Sequence, residues 1–115
     1  MRRLSLLLMP MLLTSCAKGP QADLPSIGEA RSVIAEWAMV NQLASDGKLT
    51  APYVSTMRKQ LREQLQSLES ALEQPDSTYA AEMRAGLREP DNASPALLRE
   101  HAEKLKAMET ALESA

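Results

Sequence analysis

The sequence predicts an all-α fold: a small antiparallel bundle of three long helices and one short helix, set behind a signal peptide and a flexible tether. Three observations carry this expectation. Four stretches between residues 26 and 115 repeat apolar residues three or four apart, the period of a helix face. Each stretch opens on a Ser or Thr suited to capping a helix, and the first three close on Gly47, on Pro75 and on the cluster Pro90-Asp91-Asn92. No run of alternating β-branched or aromatic residues offers a strand.

The first helix is expected to start at Ser26-Ile27-Gly28-Glu29. This is a capping box, in which the Ser hydroxyl serves a backbone N–H of the first turn and Glu29 reaches back. Ile27, Ala30, Ile34, Trp37, Val40 or Asn41, and Ala44 give its apolar stripe, and Ser45-Asp46-Gly47 ends it with Gly47 at a left-handed C′ position. Thr50 caps the second helix, with Pro52 tolerated in its first turn. Its stripe is Val54, Met57, Leu61, Leu65, Leu68 and Leu72, and the helix is expected to run from Ala51 to Gln74, where Pro75 stops it. A short third helix starts from Asp76 or Ser77 and carries Tyr79, Met83 and Leu87. Residues 89–94 form a loop, and Ser94-Pro95 opens the last helix, whose seam is Leu98, His101, Leu105, Met108 and Leu112.

One-sided stripes must be buried against one another, and the short links at 46–50 and 89–94 favour antiparallel neighbours. The stripes suggest that Leu61, Leu65 and Leu68 of the second helix face Leu98, Leu105 and Met108 of the last. Phe is absent and the aromatic residues are Trp37, Tyr53 and Tyr79, so Leu, Met and Ala supply most of the core. In the second helix the bases Arg58, Lys59 and Arg62 precede the acids Glu63, Glu69 and Glu73, the reverse of what the helix dipole prefers, so packing has to hold that helix.

The N-terminus follows a different pattern. Met1-Arg2-Arg3 is a short basic segment, and Leu4–Leu13 is an apolar run of ten residues broken by Pro10. Ten residues are too few to span a bilayer, which takes about 20 in a helix. A basic start, a short apolar run and small residues after it describe a secretory signal peptide over residues 1–15. The pair Arg2-Arg3 lacks the surrounding polar motif of twin-arginine export. Residues 16–25 carry Gly19, Pro20 and Pro25 without apolar period and are expected to be a tether. The helical domain is then 26–115.

Leu13-Thr14-Ser15-Cys16, an aliphatic residue, two small ones and the chain's single cysteine, resembles the lipobox of bacterial lipoproteins. The resemblance covers residues 1–16. It implies that the Cys16 thiol receives a diacylglyceryl group, that cleavage falls just before Cys16, and that the new amino group takes a further acyl chain such as palmitate. The residue types fit this chemistry: a thiolate is the nucleophile that can be alkylated near neutral pH, and small side chains at 14 and 15 give a protease access to the backbone. One cysteine cannot close a disulfide within the chain. Ala17 stands where lipoproteins retained in the inner membrane often carry Asp, which favours the periplasmic face of the outer membrane.

Cleavage would remove Arg2 and Arg3, leaving 11 of the 13 bases against 15 acids, a formal net charge of −4. That excludes a basic footprint for nucleic acid and a polybasic grip on anionic lipid. Anchorage would then rest on acyl chains, at about 0.8 kcal/mol per buried CH₂.

Chemistry is sparse in the remainder. The one histidine, His101, falls inside an apolar seam, which points to a structural residue rather than to catalysis. No cysteine or second histidine accompanies it to make a zinc site. There is no Gly-x-Ser-x-Gly elbow, no Gly-rich phosphate loop and no calcium loop around Asp91-Asn92. Met39, Met57, Met83 and Met108 sit at helical spacing and are expected to be core filler. Trp37 is expected to anchor the first helix in the core, with an exposed contact to a partner protein as the alternative, since Trp is favoured at binding hot spots.

Catalytic residues, metal and cofactor are therefore expected to be absent. The expected function is that of a small non-enzymatic envelope lipoprotein, bound to lipid through acylated Cys16 and working by contact with another envelope protein or with further copies of itself. The alternative is a periplasmic chaperone, inhibitor or stress-response factor that uses an exposed helical face.

Overall fold

The computed structural model describes residues 19–115, and these form four α-helices and no strand: α1 (Leu24–Ser45), α2 (Ala51–Ser70), α3 (Thr78–Leu87) and α4 (Pro95–Glu113). Three are long and one is short, as the sequence predicts. Residues 1–18, with the expected signal peptide, Leu13, Thr14, Ser15 and Cys16, lie outside the described residues. None of the four helices is long and apolar enough to cross a membrane.

Local chemistry sets most of the boundaries. Thr50, Ser77 and Ser94 each hold an extended backbone, and their side-chain oxygens accept from the amides of Tyr53, Ala80 and Leu97. Each cap satisfies one of the amides that a helix start leaves without a partner. At the end of α1, Gly47 takes φ +71°. The amide of Lys48 then reaches back to the Leu43 carbonyl at 2.9 Å and that of Gly47 to Ala44 at 3.0 Å, a Schellman closure.

Two boundaries differ from the expectation, and Asp23 lies at both. The capping box at Ser26 does not form. α1 starts three residues earlier, with Pro25 in its first turn, and Asp23 rather than Ser26 at the cap position makes no side-chain cap. Its buried carboxylate instead accepts from the backbone amides of Glu73 at 2.8 Å and Gln74 at 3.0 Å, and from the Tyr79 hydroxyl at 2.6 Å. α2 ends at Ser70 rather than Gln74, those two amides bond Asp23 instead of helix carbonyls, and Leu72 joins the core from outside the helix. Folded contacts thus reach into the expected tether, where Gln21 also donates to the Leu112 carbonyl at 3.0 Å.

The packing order also differs. α1 is the central element: it packs against α4 most extensively, then α2, and touches α3, while α3 bridges α2 and α4. No Cα atom of α2 comes within 8 Å of one in α4, so Leu61, Leu65 and Leu68 do not face Leu98, Leu105 and Met108 as the stripes suggested. The reason is that the stripe of α1 is broader than expected: Val33 and Ala38 are buried along with Ile27, Ala30, Ile34, Trp37, Val40 and Asn41, so one wide face serves both α2 and α4. The helix pairs run antiparallel. Arg31 near the start of α1 meets Glu109 near the end of α4 at 2.7 Å, and Asn41 near its end meets Arg58 in the first half of α2 at 2.8 Å.

Among the methionines, Met83 is fully buried and Met57 and Met108 pack on the core's edge, but Met39 is 58 % exposed and is not core filler. It sits on the strip of α1 that α2 and α4 leave uncovered.

Leu65 is fully buried and stands 3.7 Å from where a Cβ on Gly86 would lie, so it joins α2 to α3 as well as to α1. Leu65→Ala is expected to lower stability by about 2–5 kcal/mol. Urea unfolding followed by circular dichroism measures this; a loss below about 1 kcal/mol would place Leu65 outside the tight core.

Candidate functional site

α3 is only 10 residues long against 22, 20 and 19 for its neighbours, so it covers one half of the bundle. Residues 88–94, which are not helical, close the other half. A non-helical segment against a core brings backbone carbonyls that need partners, because a buried unpaired polar group is costly. Side chains from the helices supply the donors. Arg62 donates from its two terminal nitrogens to the carbonyls of Leu87 and Glu89, both at 2.7 Å. Trp37 Nε1 donates to the Asp91 carbonyl at 3.0 Å, and Asn41 Nδ2 to Asp91 at 3.0 Å and Ala93 at 2.8 Å. Every second carbonyl from 87 to 93 is thus held from α1 or α2. The oxygen of Asn41 in turn accepts from Arg58 Nε, and the Arg62 guanidinium lies 5.1 Å over the Trp37 ring. Among the described residues no buried side-chain nitrogen or oxygen lacks a partner.

The segment is tied to α4 by His101. Its Nδ1 lies 2.5 Å from Glu82 Oε2 of α3, and its Nε2 lies 2.7 Å from Glu89 Oε2 of the segment. The side chains of His101, Glu82 and Glu89 are only 10 %, 12 % and 19 % exposed. Ionised carboxylates only accept hydrogen bonds, so two of them satisfy the ring only when both nitrogens carry hydrogen, which makes it an imidazolium. Burial by itself disfavours that charge. The hydrogen bonds to Glu82 and Glu89, and then their negative charges, outweigh burial, so the pKa is raised above the ordinary 6.5. Tyr79 is shifted as well: burial, then its hydrogen bond to Asp23, raises its pKa above 10.0.

Sequence reasoning placed His101 correctly as a buried seam residue but not its partners. Glu100 and Glu103, its neighbours on α4, are exposed, and the carboxylates that meet the ring come from 19 and 12 residues upstream. Glu82 and Glu89 stand one on each side of the ring and do not converge on a common point. Among the described residues there is no group of three or more His, Cys, Asp or Glu side chains able to hold a metal ion. Trp37 is fully buried, so its ring is a core anchor and is not presented as an exposed partner contact. Arg62 and Asn41 were missed because an arginine and an asparagine inside helical stripes give no local sign of reaching distant carbonyls.

Two surface depressions lie away from His101. One is framed by Ala44, Leu49, Val54, Arg58 and Asp91 where the α1–α2 turn meets the segment, and another by Glu29, Gln60, Gln64 and Leu68 on the outer side of α2. The chain matches no protein-family model, no curated protein and no solved structure.

Two outcomes are expected. Asn41→Leu strands the Ala93 carbonyl, weakens the hold on Asp91 and frees Arg58, and should lower stability by about 1–3 kcal/mol for each polar group left unpaired, measured by urea unfolding. His101 gives a pH dependence of definite sign. Because its folded pKa is raised, the stability it contributes is fully present below about 6.5 and is lost as pH rises through the folded value. Melting temperature should therefore fall with rising pH above neutrality in the wild type, and this slope should flatten in His101→Gln.

Proposed function

We propose that this chain is a small non-enzymatic envelope lipoprotein, anchored by acyl chains on Cys16 at the periplasmic face of the outer membrane and acting by protein–protein contact. The observation that carries the reading is the ordered sequence of a basic start, a ten-residue apolar run and Leu13-Thr14-Ser15-Cys16. The rest of the chain supports it. Arg62, Asn41 and Asp23 hold backbone groups, and His101 is engaged at both ring nitrogens by the carboxylates of Glu82 and Glu89, a structural occupation rather than a reactive one. The chaperone-like alternative calls for a continuous exposed apolar face. The large apolar side chains with most exposure, Met39, Tyr53 and Leu97, are distributed singly over α1, α2 and α4.

Mass spectrometry of the membrane fraction is expected to find a mature chain that begins at Cys16 and carries diacylglyceryl and acyl mass. Cys16→Ser should leave the protein uncleaved or free of the membrane. A mature N-terminus elsewhere, with an unmodified thiol at Cys16, would overturn the reading.

A further inference from the structure

We propose that His101 is a pH-operated latch on the segment between α3 and α4: doubly protonated, it holds the Glu89 end of that segment against α4, and on losing its second proton it lets that end go. The inference does not depend on the anchor at Cys16.

The geometry carries it. The ring stands between Glu82, inside α3, and Glu89, beyond the last residue of α3. A neutral imidazole has one N–H. The nitrogen that loses its hydrogen then presents a lone pair to a carboxylate oxygen at hydrogen-bond distance. With the ring only 10 % exposed, little water is present to screen that repulsion. One carboxylate has to withdraw. Glu82 is fixed within a helix, whereas Glu89 lies outside it and is the more exposed of the two, so Glu89 is the one released.

The other ties of the segment do not respond to pH near neutrality. The charged and titratable groups around the ring and the segment are Glu82 of α3, Arg88, Glu89 and Asp91 of the segment, Arg58 and Arg62 of α2 and, on α4 itself, exposed Glu100, Glu103 and Lys104. α1 brings Trp37 and Asn41, which do not titrate. Arginine stays charged throughout, and the Arg62–Asp91 pair at 3.4 Å is a loose one on the solvent side. Trp37 and Asn41 keep residues 91–93 in place when Glu89 leaves, so the opening is local. It frees the Glu89 side chain and loosens residues 88–90, while Glu82 keeps α3 on the ring and Arg62 keeps its hold on the carbonyls of Leu87 and Glu89.

Amide hydrogen exchange of the full chain from pH 6 to pH 9, corrected for the intrinsic pH dependence of exchange, reads the latch; the His101 ring is titrated by NMR in the same samples. The reporters are the amides of Arg88 and Glu89, which bond to Arg84 and Gly86. Their protection should fall with the midpoint of the ring, by about tenfold for each unit by which the Glu89 carboxylate raises the ring's pKa, read as the difference between wild type and Glu89→Gln, while amides in α1 stay protected. His101→Gln should remove the pH step. Should that variant fail to fold, Glu89→Gln should lower the ring's midpoint and remove the step at residues 88–90 while α4 keeps its protection. Unchanged protection at 88–90 while the ring titrates would overturn the latch. So would loss of protection throughout α1 and α4 at the same midpoint, or a step that persists in Glu89→Gln.

Discussion

A short helix in a bundle of long ones leaves part of the core to be closed by irregular chain, and this constraint organises the molecule. Irregular chain cannot pair its own backbone as a helix does. Residues 88–94 lie against α1 and α2 only because Trp37, Asn41 and Arg62 reach the carbonyls of 87, 89, 91 and 93. Each net bond of this kind contributes on the order of 1 kcal/mol, but leaving a buried carbonyl empty costs more than a bond gains. These polar residues therefore act chiefly by preventing a penalty. The consequence for the fold is that α1 and α2 are joined to the α3–α4 half by directional bonds at one end of the bundle, on top of the non-directional burial of Leu, Ile and Ala.

Asp23 does the equivalent task at the other end. Three donors, from Glu73, Gln74 and Tyr79, satisfy a carboxylate that is almost wholly buried. A buried charge is tolerated only when it is hydrogen-bonded this fully. The two irregular links on either side of α3 are thus each fixed by polar side chains from distant parts of the chain: 71–77 by Asp23 and by Arg84, which bonds Pro75 and Glu69, and 88–94 by the Trp37–Asn41–Arg62 group. The short helix is suspended between two pinned links.

What was legible in the sequence divides along the same line. Features decided within one turn of chain were readable. Thr50, Ser77 and Ser94 cap as their residue types demand, Gly47 adopts the left-handed turn, and the seam Leu98–His101–Leu105 is buried. Features decided by residues tens of positions apart were not. Ser26 and Glu29 have the residue types and spacing of a capping box, yet α1 starts after Asp23, whose carboxylate bonds amides 50 and 51 residues away. The pairing of stripes was misjudged for a reason the sequence does contain. Val33 and Ala38 widen the stripe Ile27–Ala30–Ile34–Trp37, and a helix with so broad an apolar face can serve two neighbours at once. The candidate site was half legible: His101 as a buried seam residue, but not Glu82 and Glu89 as its partners.

The two cations at the closing segment differ in kind, and the difference assigns them different duties. Arg62 needs its whole guanidinium. One terminal nitrogen serves Glu89, the other Leu87, Nε stands 3.4 Å from Asp91, and the flat face lies over Trp37. A planar fork with a permanent charge meets all four demands, whereas a lysine ammonium is a single rotating point charge with no face to stack. The tie through Arg62 is therefore constant with pH. His101 meets only two demands, both from carboxylates, and its charge is conditional on the proton that its partners help it keep. Placed on the same segment, the permanent cation sets where the chain lies and the conditional one sets how firmly its α4 side is held. The structure thus separates position from tightness, and only the second responds to the medium.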